Sequence, residues 1–111
     1  MTLEPRSNAA ATFSDLSEAE GLKWAALMPG HAIGSFVAKM SYGGYKYVPV
    51  TYLLCEGDKI LPPDFQKSMI EYARTVTEST VDVVSCTAGH GAMISQPDKV
   101  VETIRKAARD L

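Results

Sequence analysis

The chain is short of most features that would announce a specialised setting. None of its 111 residues falls in an apolar run near the ~20 residues that a bilayer-spanning helix needs, so no membrane partner is expected. Its two cysteines, Cys55 and Cys86, are too few for the disulfide framework of a small secreted domain. Both end apolar runs, where small thiols are ordinarily buried. Charge of one sign is lacking too: 11 Lys and Arg stand against 13 Asp and Glu, a net charge of −2, with no electrostatic footprint for nucleic acid. His31 and His90 lie far apart and outside any cluster with metal-ligand spacing, so no metal is expected. Gly43-Gly44 follows a helical pattern and precedes a strand, the reverse of a phosphate-binding loop, and no cofactor is expected. The first residues, Met-Thr-Leu-Glu-Pro-Arg-Ser-Asn, form neither an apolar signal core nor a basic leader. A cytoplasmic protein is the expectation.

What remains is an ordinary globular composition, 46% hydrophobic and 22% charged, in a length that allows one small domain. Residues 1–12 carry no usable period and read as a flexible tail. Ser17-Glu-Ala-Glu20 has the form of a capping box, so a helix starts there, with Leu22, Trp24, Ala25 and Ala26 as its apolar side, and stops before Pro29-Gly30. Ile33, Phe36, Val37 and Met40 recur at i, i+3, i+4 and i+7, which predicts a second helix and hence a helical hairpin within 13–47. Trp24, Phe36, Met40 and Tyr42 could wall an apolar substrate pocket, although such stripes are more often plain core.

From residue 48 the pattern becomes strand, helix, strand, helix. Val48-Pro-Val-Thr-Tyr-Leu-Leu-Cys55 is β-branched, aromatic and almost continuously apolar, as suits a strand covered on both faces. After Pro62-Pro63, the residues Phe65, Met69, Tyr72, Ala73 and Val76 mark a helix. Val81-Asp-Val-Val-Ser-Cys86 is the second strand. Ser95-Gln-Pro-Asp98 opens a last helix with Val100, Val101, Ile104, Ala108 and Leu111 as its apolar side. A crossover of this length makes the strands parallel, so both C-terminal ends reach one sheet edge. Ligands of open α/β sheets bind there.

That edge receives Asp58, from Cys55-Glu-Gly-Asp58, and His90, from Gly89-His-Gly-Ala-Met93. A carboxylate beside an imidazole can orient the ring and stabilise its protonated form while the ring moves a proton. The alternative is that Asp58 caps a turn and His90 is a loop histidine between flexible glycines. Spacing alone leaves these two readings even.

Several patterns in order resemble the C-terminal part of an α/β-hydrolase of the fungal esterase-like kind. They are Val48-Pro-Val-Thr-Tyr-Leu-Leu-Cys55, Glu56-Gly-Asp-Lys59, Ile60-Leu-Pro-Pro-Asp-Phe-Gln66 and Ala88-Gly-His-Gly-Ala-Met-Ile-Ser-Gln-Pro-Asp98. The resemblance implies a partial α/β-hydrolase fold, with 13–47 as cap helices and 48–111 as a β-α-β-α unit. It implies Asp58 as triad acid, His90 as triad base, and a small ester or related carbonyl compound as substrate, in a setting of secondary metabolism. The family's Gly-x-Ser-x-Gly elbow and oxyanion loop have no counterpart in the 111 residues. Ser35, Ser85, Ser95, Cys55 and Cys86 read as structural rather than as substitutes for the nucleophile. Two functions therefore stand: a hydrolase portion whose serine is supplied elsewhere, or an inactive truncated remnant or small ligand- or partner-binding module. Two strands are too few for a stable open sheet, so self-association or pairing with a missing N-terminal segment is expected.

Overall fold

The computed structural model describes residues 4–109. Helix α1 spans Pro5–Thr12, where a tail was expected. The Glu4 carboxylate accepts the amides of Arg6 and Ser7, Pro5 occupies the first turn without losing a hydrogen bond, and an alanine run follows. Helix α2, Glu18–Ala26, begins where the capping box places it, with the Ser17 hydroxyl accepting the Glu20 amide at 3.2 Å. The two helices pack through Ala9, Phe13 and Ala25, with Leu16, Leu22 and Trp24 half-buried around them, while Ala26 is exposed. Asn8 and Thr12 are buried with this cluster and bond each other at 2.6 Å.

The second helix of the expected hairpin shrinks to a single turn, α3, Gly34–Val37. A four-residue helix gains too few hydrogen bonds to offset its nucleation and needs a packed face. It has none: Ile33, Phe36, Val37 and Met40 are all at least 63% exposed. The helical spacing of these residues is real, but spacing does not supply a surface to pack against. A 3₁₀ turn, Gly44–Tyr47, then leads into the sheet, with the Lys46 carbonyl accepting from Thr77 and Glu78.

Strand β1, Val50–Cys55, pairs in parallel with β2, Val81–Cys86, in a register that sets Val50 against Val81 and Cys55 against Cys86. Between them lies helix α4, Pro63–Val76, and beyond β2 come the single turn α5, Ala92–Ser95, and helix α6, Pro97–Arg109. Side chains alternate across β1 as a pleated strand requires. Val50, Tyr52 and Leu54 pack with Ile70 and Ala73 of α4, whereas Leu53 and Cys55 pack with Val100 of α6. The fold is mixed α/β with a two-stranded parallel sheet flanked by α4 and α6, and its strands stay largely half-buried or exposed.

Both helices bury only part of their expected faces: Ala73 of α4 and Val100 of α6 pack inward as expected. On α4 the buried residues are Gln66 and Ile70, while Phe65 and Tyr72 are 54% and 61% exposed. On α6 the inner residues are Val100, Thr103 and Ala107, with Val101, Ile104 and Ala108 outside; Leu111 lies beyond the described residues. Each helix carries two adjacent apolar stripes, and periodicity alone cannot choose between them. Ser95 ends α5 instead of capping α6, whose first turn starts at Pro97.

An open apolar groove of about 460 Å³ runs between Tyr45, Tyr52, Met69 and Tyr72. The radius of gyration is 15.6 Å, against about 13 Å for a compact chain of this length. No large side chain among the described residues is fully buried, so the core is thin. Ile70→Ala is expected to lower stability by about 2–4 kcal/mol and Phe65→Ala by less than about 0.5 kcal/mol, measured by urea unfolding. Equal losses would mean that α4 buries its other stripe.

Candidate active site

Pairing does not stop where β1 ends. The Glu56 amide donates to the Cys86 carbonyl and the Gly57 amide to the Ala88 carbonyl, both at 2.9 Å, so the acid turn stays zipped to the chain leading to His90. A Cβ on Gly57 would stand 2.8 Å from the Thr87 carbonyl oxygen, which explains why glycine occupies this approach.

The turn delivers the Asp58 side chain inward, where it is only 6% exposed. Its Oδ1 accepts the amides of Ile60 and Leu61 at 2.8 and 2.9 Å, and its Oδ2 stands 2.9 Å from Nδ1 of His90. Burial alone would raise the carboxyl pKa; the Leu61 amide, His90 and the Ile60 amide together outweigh it and hold the pKa below the ordinary 3.8. At neutral pH Asp58 is therefore a carboxylate and can only accept, so Nδ1 carries the proton. This leaves the Nε2 lone pair of His90 available as a base. The His90 side chain is 34% exposed, buried enough to be held and open enough to be reached.

Gln66, the last residue of the Ile60-Leu-Pro-Pro-Asp-Phe-Gln66 pattern and one with no role expected of it, fastens this turn from behind. It is 2% exposed; its Oε1 accepts the Cys55 amide at 3.0 Å, and its Nε2 donates to the carbonyls of Cys55 and Leu61 at 2.8 and 2.6 Å. The end of β1 and the far side of the Asp58 turn thus hang on one side chain. A polar residue on the Gln66, Ile70, Ala73 face of α4 was the available signal, since buried amides are kept where backbone groups need partners.

The other expected site residues do not gather here. Trp24 is half-buried against the α1–α2 cluster. Phe36 lies exposed with its ring 4.5 Å from that of His31, Met40 is exposed, and Tyr42 stacks on Tyr47 at 5.9 Å. Instead, a cavity of about 320 Å³ opens beside the acid turn, between Ala9, Phe13, Leu16 and Leu22 of the helix pair, with Arg6 and Lys59 also on its wall.

The candidate nucleophiles remain in structural settings. Cys55 and Cys86 are free thiols with their sulfurs 3.8 Å apart. Burial first, then the Cys86 neighbour, pushes Cys55 up to about 12, the opposite of an activated thiol. Ser35 Oγ donates to the Ala32 carbonyl at 2.8 Å and stands 2.5 Å from His31 Nε2 in an exposed turn. Ser85 is an exposed residue of β2, and Ser95 faces the Gly91 carbonyl at 3.5 Å. Among the described residues no group of three or more His, Cys, Asp or Glu gathers as a metal site, and no helix is long and apolar enough to cross a membrane.

Similarity to two curated relatives makes the chain α/β-hydrolase-like, and its parallel strand-helix-strand unit fits part of such a fold. A probable hydrolase, R7, of Phoma sp. is 30% identical over 108 residues, 97% of this chain and 44% of that protein. The alpha/beta hydrolase nvfD of Aspergillus novofumigatus is 31% identical over 86 residues, 77% of this chain and 33% of that protein. The chain thus spans less than half the length of these relatives. No family model and no solved structure matches it.

Two solution experiments check this geometry. Gln66→Leu strands two carbonyls and an amide, and is expected to cost about 1–3 kcal/mol in urea unfolding; a neutral effect would remove Gln66 from the account. Because its folded pKa is depressed, Asp58 contributes stability above pH 3.8 that is lost as pH falls through the folded value. The stability gap between wild type and Asp58→Asn should therefore close on acidification below that pH, and a gap independent of pH would contradict the ionised, hydrogen-bonded carboxylate.

Proposed function

We propose that this chain supplies the acid and base of a Ser-His-Asp hydrolase acting on small, largely apolar esters or related carbonyl compounds, with the serine contributed by residues outside the 111. The observation that carries this reading is the 2.9 Å contact from His90 Nδ1 to a buried carboxylate already fixed by two backbone amides. Nε2 of His90 takes the proton from the serine hydroxyl as its oxygen attacks the substrate carbonyl. Asp58 stabilises the imidazolium, which then returns the proton to the departing alcohol. Water repeats the cycle on the acyl-enzyme and frees the acid.

A second reading, a catalytically inactive remnant or a ligand- or partner-binding module, is favoured by the missing Gly-x-Ser-x-Gly and by the exposed outer stripes of α4 and α6. Fluorophosphonate labelling, combined with hydrolysis of a p-nitrophenyl ester, separates the two. For the first reading, the 111-residue chain alone stays unlabelled, while the product of its complete transcript is labelled at a serine and hydrolyses the ester. His90→Ala then lowers kcat by at least about 10⁴-fold. A transcript product without a labelled serine would favour the second reading, as would one whose activity ignores His90.

A further inference from the structure

We propose that Asp15, in the turn between α1 and α2, is a positioning residue for His90, and that this turn sets where the imidazole stands. The inference rests on the reading of His90 as the base. The residues on both sides of His90 are tied to this turn. The Gly89 amide donates to Asp15 Oδ2 at 2.7 Å, and the Gly91 amide donates to the Thr12 carbonyl at 3.0 Å. Approach is close on both flanks. A Cβ on Gly89 would stand 2.9 Å from Asp15 Oδ1, and one on Gly91 would stand 3.0 Å from the Phe13 ring.

No glycine among the described residues has a positive φ, so these two are not there for conformational freedom. They let the loop lie flat on residues 12–15, and the imidazole between them is held from both sides. Asp15 is not needed by the helix that follows it, because Ser17 already caps α2. Its carboxylate is instead spent on the base loop, 74 residues away in sequence. The carboxylate of Asp58 and that of Asp15 thus divide the task. Asp58 orients the ring, and Asp15 holds the backbone from which the ring projects.

The test is ¹H–¹⁵N spectroscopy of the His90 ring and of the Gly89 amide in the 111-residue chain. In the wild type, His90 shows a protonated Nδ1 and a bare Nε2. Asp15→Ala is expected to weaken or erase the Nδ1–H signal and to speed Gly89 amide exchange at least about tenfold, without loss of the β1–β2 amide pattern. Asp15→Asn, which keeps an acceptor oxygen, is expected to restore most of both. If the alanine variant fails to fold, Gly89→Ala perturbs the same contact with Asp15 in place and is expected to give the same ring signature. An unchanged Nδ1–H signal in Asp15→Ala, or in Gly89→Ala where that variant replaces it, overturns the positioning role alone. A wild-type ring without the Nδ1 proton overturns the base reading and the inference together.

Discussion

Parallel pairing of β1 with β2 is the constraint from which the site follows. With Cys55 opposite Cys86, the first residues past each strand keep bonding, and the two turns emerge side by side instead of diverging. Asp58 and His90, 32 residues apart in sequence, come within one hydrogen bond. A slip of one residue would exchange the faces of the whole strand, sending Leu54 toward α6 and Leu53 toward α4. The alternating packing of β1 between those helices therefore fixes the register, and the register fixes where Asp58 and His90 stand. Gln66 and Asp15 are the polar ties that hold the two turns once the sheet has brought them together.

The meeting of Asp58 and His90 at one sheet edge was readable because their signals are local and their geometry is inherited from topology. Two apolar runs with a helical crossover imply parallel strands, and parallel strands imply a common edge. Ser17 and Pro63 were readable as helix starts for similar local reasons. Helix α1 was not, since its opening depends on Glu4 folding back onto the next two amides, outside the usual Ser, Thr, Asp or Asn capping signal. The inner stripes of α4 and α6 were legible only in part, Ala73 and Val100 packing inward and Phe65, Tyr72, Val101 and Ile104 not, because a helix with two apolar sides declares its inner one only through its neighbours. The same limit applies to Ile33, Phe36 and Met40, whose spacing is helical but which have no surface to cover.

These misses have a common physical sense. The residues placed wrongly are mostly apolar and exposed, and they surround a thin core in a chain that matches less than half the length of its relatives. An apolar stripe is a statement about a partner as much as about a helix. The dyad depends on far less. Its carboxylate is fixed by adjacent amides, its ring by adjacent glycines, and its turn by one glutamine, all inside the described residues. The structure can therefore hold an oriented acid and base while leaving broad apolar surface open.

The central claim is that Asp58 and His90 act on each other in the folded chain. A double-mutant cycle built from Asp58→Asn and His90→Gln, read by urea unfolding at neutral pH, measures this most directly. The account predicts a favourable coupling of about 1 kcal/mol or more, because the pair is close, partly buried and hydrogen-bonded. A coupling of zero, with the two single effects simply adding, would contradict it.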